Sequence, residues 1–104
     1  MGEKKYILRF LPLFEEDLNE IANYIVVRLK NPIAADKLVD EVQLAIRERL
    51  TCPEVFEKYR SVRERQYPYY RIMVNNFIIF YVVIGDVMEV RRIIYSRRDL
   101  SKQI

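Results

Sequence analysis

The sequence has no histidine, no tryptophan, one cysteine and two glycines among its 104 residues. Without histidine, Ser-His-Asp and Cys-His catalytic systems and ordinary zinc sites are excluded. Two isolated glycines, Gly2 and Gly85, cannot form a phosphate-binding loop of the Walker or dinucleotide type. Any catalysis must therefore come from Arg, Lys, Tyr, Asp or Glu side chains, and we expect neither a metal nor a cofactor.

Long hydrophobic segments are also missing. The longest uninterrupted apolar run, residues 77–84, is far shorter than a membrane span, and residues 1–5 contain no stretch resembling a secretion signal. Cys52 cannot form an internal disulfide, which favours a reducing compartment, and beside Pro53 it is expected to be a small buried side chain. These features predict a cytoplasmic protein with no membrane partner, folded as a single domain over residues 1–104.

The charge is unevenly divided along the chain. Residues 1–57 carry 8 Lys and Arg against 11 Asp and Glu, a net charge of −3, whereas residues 58–104 carry 10 against 4, a net charge of +6. Most of the basic residues in the second half are arginines, which suit bidentate contacts with phosphate and carboxylate groups. This asymmetry predicts an anionic partner for the C-terminal half.

The first half of the chain reads as a strand followed by a helix hairpin. Residues 6–10 alternate between apolar and polar positions with period two, which predicts a strand. Pro12 fits the first turn of a helix, and Asn31-Pro32 caps and begins a second helix that ends at Cys52-Pro53. Apolar residues at steps of three or four predict the buried stripe of the first helix: Phe14, Leu18, Ile21, Ile25 and Leu29. The acidic residues Glu15, Glu16, Asp17 and Glu20 are interpreted as a solvated helix N-terminus rather than a metal site.

The second half reads as a loop followed by three strands. Residues 54–68 are predicted as loop, and strands are predicted over 70–74, 77–84 and 87–95 with turns at Asn75-Asn76 and Gly85-Asp86. The apolar strand 77–84 should be central and covered on both faces. The predicted fold class is therefore α+β, ordered β-α-α-β-β-β, with an antiparallel helix hairpin packed on one face of a small, mainly antiparallel sheet.

The last strand supplies the candidate site. Strict alternation would place Met88, Val90, Arg92 and Ile94 on one face and Glu89, Arg91, Ile93 and Tyr95 on the other. With the helices on one face, the other is expected to form a concave basic surface. Guanidinium groups with a phenol ring would suit a phosphodiester and could stabilise RNA cleavage without a metal.

The candidate catalytic residues are Arg71, Tyr95 and Arg97. The candidate residues for binding nucleic acid or another target are Arg91, Arg98, Lys58, Arg60, Arg63 and Arg65. In the alternative interpretation, Arg91 and Arg92 pair with Glu89 and Asp99 as surface ions.

The chain carries an ordered set of short motifs that span about residues 6–100: Tyr6-Ile-Leu-Arg-Phe-Leu-Pro, Asp17-Leu-Asn-Glu-Ile, Tyr24-Ile25, Asn31-Pro32 with Ala34-Ala35, Tyr70-Arg-Ile, Ile79-Phe-Tyr and Arg92-Ile-Ile-Tyr-Ser-Arg-Arg-Asp. In this order they resemble the RelE/ParE superfamily of toxins from type II toxin–antitoxin modules. The resemblance implies a small toxin held inactive by an antitoxin whose extended helical segment wraps around it. It also implies that the complex binds operator DNA, mainly through the antitoxin.

The resemblance implies two mechanisms. RelE-like members cleave mRNA on the ribosome without metal, whereas ParE-like members poison DNA gyrase and lack that active site. The arginine that contacts the scissile phosphate in RelE-like toxins is matched here by Ile78, and a second functional basic position is matched by Arg97. No tyrosine follows Tyr95, which lies where many members have histidine. We therefore expect a ParE-like, non-nucleolytic toxin, with a ribosome-dependent endoribonuclease as the alternative.

Two other classes of function remain open from the residues alone. A nucleic-acid-binding module without toxicity would show an affinity that falls steeply with salt. A structural interaction protein would use the same arginines to bind an acidic peptide, because guanidinium groups bind carboxylates as readily as phosphates.

Overall fold

Two consecutive helices cover one face of a five-stranded mixed sheet in the computed structural model of the chain, which describes residues 5–56, 58–59 and 67–96. The elements are β1 (Ile7–Phe10), α1 (Pro12–Val27), α2 (Pro32–Leu50), β2 (Lys58–Tyr59), β3 (Tyr69–Val74), β4 (Phe77–Ile84) and β5 (Val87–Tyr95). The strand order is β1-β5-β4-β3-β2, with β1 parallel to β5 and the other pairs antiparallel. The predicted α+β order is confirmed, but the short strand β2 lies in the segment predicted as loop.

The helix hairpin begins and ends largely where the sequence predicts. Pro12 occupies the first turn of α1, and the side chain of Asn31 accepts a hydrogen bond of 3.1 Å from the backbone N–H of Ala34, capping α2. The prediction that Leu29 extends the buried stripe is wrong. Because α1 ends at Val27 and Lys30 adopts a left-handed φ of 51°, Leu29 lies in the turn and is exposed.

The meander turns use the residues that their backbone geometry requires. Asn75 has a φ of 52° between β3 and β4, and Gly85 has a φ of 62° between β4 and β5. Asparagine and glycine tolerate this left-handed conformation better than other residues. The two predicted hairpins are therefore confirmed.

Strand β4 is the centre of the molecule, and both of its faces are buried as expected. Its helix-side face contributes Ile79 and Tyr81 to a core that includes Phe14, Leu38, Val42 and Ile46 from the helices. Its opposite face, called here the distal face, contributes Ile78, Phe80 and Val82 to a second apolar cluster with Tyr69 and Ile94. No residue of either helix belongs to this second cluster.

A β-bulge breaks the alternation predicted for β5. Tyr81 pairs with Val90 but Phe80 pairs with Arg92, so Arg91 is the extra residue in β5. Beyond the bulge the faces are exchanged. Ile93 therefore joins Met88 and Val90 in the helix-side core, while Ile94 packs in the distal cluster. The prediction that Ile93 and Tyr95 share a face with Glu89 is wrong for this reason.

The segment after α2 also differs from expectation. The helix ends at Leu50, so Cys52 lies in the following turn and is exposed rather than buried, whereas Pro53 is buried. Neither helix in the described part of the chain is both long and apolar enough to span a bilayer.

Candidate functional site

The distal face of the sheet has an apolar centre rather than the expected basic hollow. Ile78, Phe80, Val82 and Ile94 are each at most 4% exposed. Arginines lie around this centre instead of in it. The candidate site is therefore a set of ionic contacts at the margin of a buried apolar cluster.

Two arginines flank the central strand on this face. Arg71 of β3 and Arg92 of β5 both pair with Phe80 of β4, one on each side. Strand spacing puts their Cα atoms about 10 Å apart. Arg71 is exposed, while Arg92 is half-buried. The sheet therefore brings Arg71 and Arg92 to one face, although strict alternation had placed Arg92 opposite Arg91.

Glu89 holds two further arginines. Its Oε1 accepts a hydrogen bond of 2.9 Å from Nε of Arg9 and forms an ion pair with Nη2 of Arg9 at 2.7 Å, and its Oε2 accepts a hydrogen bond of 2.8 Å from Nε of Arg91. Burial opposes ionisation of this carboxyl, but the hydrogen bonds from Arg91 and Arg9 outweigh burial and keep the pKa of Glu89 below its usual value. Arg91 also lies over the ring of Tyr69, 5.9 Å from its centroid. The three charges form one cluster with a net charge of +1.

Asp17 binds Arg92 in a second ionic contact. The carboxylate accepts hydrogen bonds from Nε and Nη2 of Arg92 at 2.7 and 3.0 Å and from the backbone N–H of Ile93 at 3.2 Å. Strand β1 ends just before this point, with the N–H of Leu11 donating to the carbonyl of Val90. Asp17 therefore continues the pairing of β5 after β1 ends. The hydrogen bond to Asp17 also raises the pKa of Arg92.

The alternative interpretation of Arg91 and Arg92 is confirmed in part. Arg91 pairs with Glu89 as that interpretation states, but Arg92 pairs with Asp17 of α1. Asp99 lies outside the described residues. Asp17 itself is half-buried against β5 and is not simply a solvated residue at the start of the helix.

Tyr95 lies away from the distal arginines. It pairs with Phe77, and the two ring centroids are 5.7 Å apart. Phe77 packs against the helix-side core, so Tyr95 is on the face opposite Arg71 and Arg92. The described structure therefore does not bring Tyr95 and Arg71 together as a catalytic pair.

The other candidate residues do not form a cluster that can be described. Lys58 is exposed and pairs with Tyr70, a residue of the helix-side core, so it points away from Arg71. The remaining candidates lie outside the described residues: Arg60, Arg63, Arg65, Arg97 and Arg98.

A contact centred on Arg49 was not expected from the sequence. Nη1 of Arg49 donates to the backbone carbonyl of Arg71 and to the hydroxyl of Tyr81, both at 3.0 Å, and its guanidinium lies 3.5 Å from the ring centroid of Phe56. The Tyr81 hydroxyl donates to the carbonyl of Pro53 at 2.7 Å. Burial raises the pKa of Tyr81, although the Arg49 contact acts in the opposite direction. Arg49 thus fastens the end of α2 to the sheet.

These contacts fix the positions of side chains around the apolar centre. Within residues 5–56, 58–59 and 67–96, no group of three or more Cys, Asp or Glu side chains could hold a metal ion. Glu89 and Asp17 are each held by arginine. In the described residues, these two carboxylates therefore hold arginine side chains in place.

The family comparison identifies the chain. The family model described as the ParE toxin of the type II toxin–antitoxin system, parDE, matches residues 8–100. The chain belongs to this ParE toxin family. No curated protein matches it in sequence.

Two solved structures are similar to this ParE-family toxin. The chromosomal ParDE toxin–antitoxin system from P. aeruginosa matches with a TM-score of 0.71 and 18% identity, covering 90% of this chain and 98% of that chain. The RelB–RelE antitoxin–toxin complex from Methanococcus jannaschii matches with a TM-score of 0.46 and 22% identity, covering 84% of this chain and 88% of that chain. The first similarity supports the fold described above.

Proposed function

We propose that this toxin inhibits growth in the cytoplasm by binding DNA gyrase, without cleaving RNA, and that a cognate antitoxin neutralises it. Membership of the ParE family supports the class of toxin. The P. aeruginosa structure of similar fold is a ParDE system, which supports an antitoxin as the partner of this chain. Contact with operator DNA would be made through that antitoxin.

The position of Tyr95 is the observation that carries the choice of mechanism. A metal-independent ribonuclease must place an acid or base beside the groups that bind the scissile phosphate, within hydrogen-bond reach of the moving proton. Tyr95 packs on Phe77 at the helix-side face, while Arg71 lies on the distal face. The sheet therefore lies between Tyr95 and Arg71, two of the candidate catalytic residues, and this separation favours inhibition by binding alone.

The central strand gives further support. Ile78 is the position that the family resemblance matches to a phosphate-binding arginine of RelE-like nucleases. Here it is 4% exposed and packs in the distal cluster with Phe80 and Ile94. An apolar side chain cannot bind a phosphate, and its burial leaves no space there for one.

Cleavage of mRNA in a translation extract tests the proposed mechanism. Purified toxin should produce no new 5′ ends by primer extension, and Tyr95→Phe should arrest growth as strongly as the wild type. Tyr6→Phe is the matched control, because the hydroxyl of Tyr6 contacts Glu54 and the nuclease hypothesis does not use it. Ribosome-dependent cleavage that Tyr95→Phe abolishes would establish the RelE-like alternative. If the wild-type chain neither arrests growth nor binds the product of the adjacent gene, the assignment as a toxin is wrong.

A further inference from the structure

The tip of the helix hairpin, residues 24–33, is the most apolar exposed region of the described chain. Five of the twelve large hydrophobic residues that are exposed in the described chain lie within these ten positions. Their exposed fractions run from 41% to 81%: Tyr24, Val26, Val27, Leu29 and Ile33. Such a concentration on a small soluble domain usually marks an interaction site.

The shape of the tip is convex. Every residue from 26 to 33 is exposed, as expected for a turn that projects between the end of α1 and the start of α2. A short antitoxin segment binds most readily in a groove, and the tip offers the opposite shape. A projecting group of apolar side chains is better suited to enter a cleft on a larger protein.

The charge of the tip indicates the charge expected on the partner surface. Between residues 21 and 35 the only charged residues are Arg28 and Lys30, whereas α1 carries four acidic residues between positions 15 and 20. The tip is therefore cationic as well as apolar, next to an acidic helix surface. A complementary partner surface carries apolar side chains beside Asp or Glu.

We propose that the hairpin tip is the surface by which this toxin docks into an apolar, carboxylate-bearing cleft of its protein target. The proposal rests on the proposed function, which requires a protein target bound without catalysis. It assigns the tip to the target rather than to the antitoxin, and it makes Val27, Ile33 and Arg28 determinants of inhibition. The distal arginines and Tyr95 are not part of this surface.

Inhibition of purified gyrase in an ATP-dependent supercoiling assay tests the assignment. Val27→Asp and Ile33→Asp should each lower inhibitory potency at least about 10-fold, because each buries an unpaired carboxylate in the interface. Leu44→Asp is the matched control, since Leu44 is 57% exposed on α2, close to the 58% of Val27. Its potency should stay within about twofold of the wild type. Circular dichroism and thermal unfolding should be unchanged in all three variants.

Two charge-reversal variants test the electrostatic contribution of the tip to docking. Arg28→Glu should weaken inhibition, and the loss should diminish at high salt, whereas Arg47→Glu near the other end of the hairpin should have no effect. Equal potency of Val27→Asp and Leu44→Asp would overturn the proposal. The proposal would also be overturned if Val27→Asp or Ile33→Asp no longer co-purified with the product of the adjacent gene but still inhibited gyrase, because the tip would then bind the antitoxin.

Failure of the proposed function has a different signature. If wild-type toxin does not inhibit gyrase, gyrase is not the target, whatever the variants do. Growth arrest then tests the tip by itself: loss of arrest in Val27→Asp but not in Leu44→Asp supports docking to another protein target. If Val27→Asp and Leu44→Asp arrest growth equally, the proposal that the tip docks to the target is overturned.

Discussion

Asp17→Asn should destabilise the toxin more than any exposed substitution in the same helix. The wild-type carboxylate accepts two hydrogen bonds from Arg92 and one from the backbone N–H of Ile93. Asparagine keeps the shape but has one acceptor oxygen and one NH2 group, so at least one donor loses its partner. The guanidinium of Arg92 also loses its counter-charge, with only 19% of its side chain exposed.

The expected cost follows from these contacts. One charge-assisted hydrogen bond contributes about 1.5–3 kcal/mol, and breaking a fully buried ion pair costs about 3–5 kcal/mol. Because this pair retains some solvent exposure, we expect a loss of about 2–3 kcal/mol in the free energy of unfolding. In a domain of this size, that lowers the Tm on the order of 10 °C.

Urea unfolding measures the loss directly, with Glu16→Gln as the control on the same helix turn. Glu16 is exposed, so the control should change stability by less than about 0.5 kcal/mol. A double variant Asp17→Asn with Arg92→Met should cost less than the sum of the two single variants, because each single variant already removes the same ion pair. A loss below about 1 kcal/mol in Asp17→Asn, or additive effects in the double variant, would refute the reasoning.

The remaining predictions concern the ion pairs of Glu89 and the contact between Arg49 and Tyr81. The pKa of Glu89 is lowered in the folded state, so its stabilisation is present above its ordinary pKa of 4.5 and is lost as the pH falls through the lower folded value. The difference in unfolding free energy between wild type and Glu89→Gln should therefore shrink below that pH, and a constant difference would contradict the ionic role. Tyr81→Phe should cost about 1–3 kcal/mol in urea unfolding, because it leaves the carbonyl of Pro53 and one N–H of Arg49 without their partner. Tyr70→Phe is its control, since the ring of Tyr70 stacks on that of Tyr81 with centroids 5.2 Å apart, and a Tyr81→Phe loss no larger than the Tyr70→Phe loss would contradict a specific role for the Tyr81 hydroxyl.

Local sequence patterns were sufficient to predict the structural features that depend on neighbouring residues alone. The cap at Asn31, the turn at Asn75 and the central position of β4 all follow from residues next to one another in the chain. The end of α1 could not be predicted from spacing, because Leu29 continues the helical spacing although α1 ends at Val27.

Contacts made at long range could not be predicted in the same way. No local signal marks the bulge at Arg91, which reverses the faces of Ile93 and Tyr95 and so separates Tyr95 from Arg71. Asp17 looks like an ordinary acidic residue near a helix N-terminus until β5 is placed beside it. Arg49 likewise gains its role only when Tyr81 and Phe56 are brought near it by the tertiary fold.

We propose that this ParE-family toxin inhibits gyrase by binding, and the other functional predictions depend on this proposal. Titration of purified wild-type toxin into a supercoiling reaction with purified gyrase, ATP and relaxed plasmid tests it most directly. We expect a dose-dependent loss of supercoiling at toxin concentrations that leave mRNA intact in a translation extract. Full supercoiling at saturating toxin, together with new mRNA ends in that extract, would contradict it.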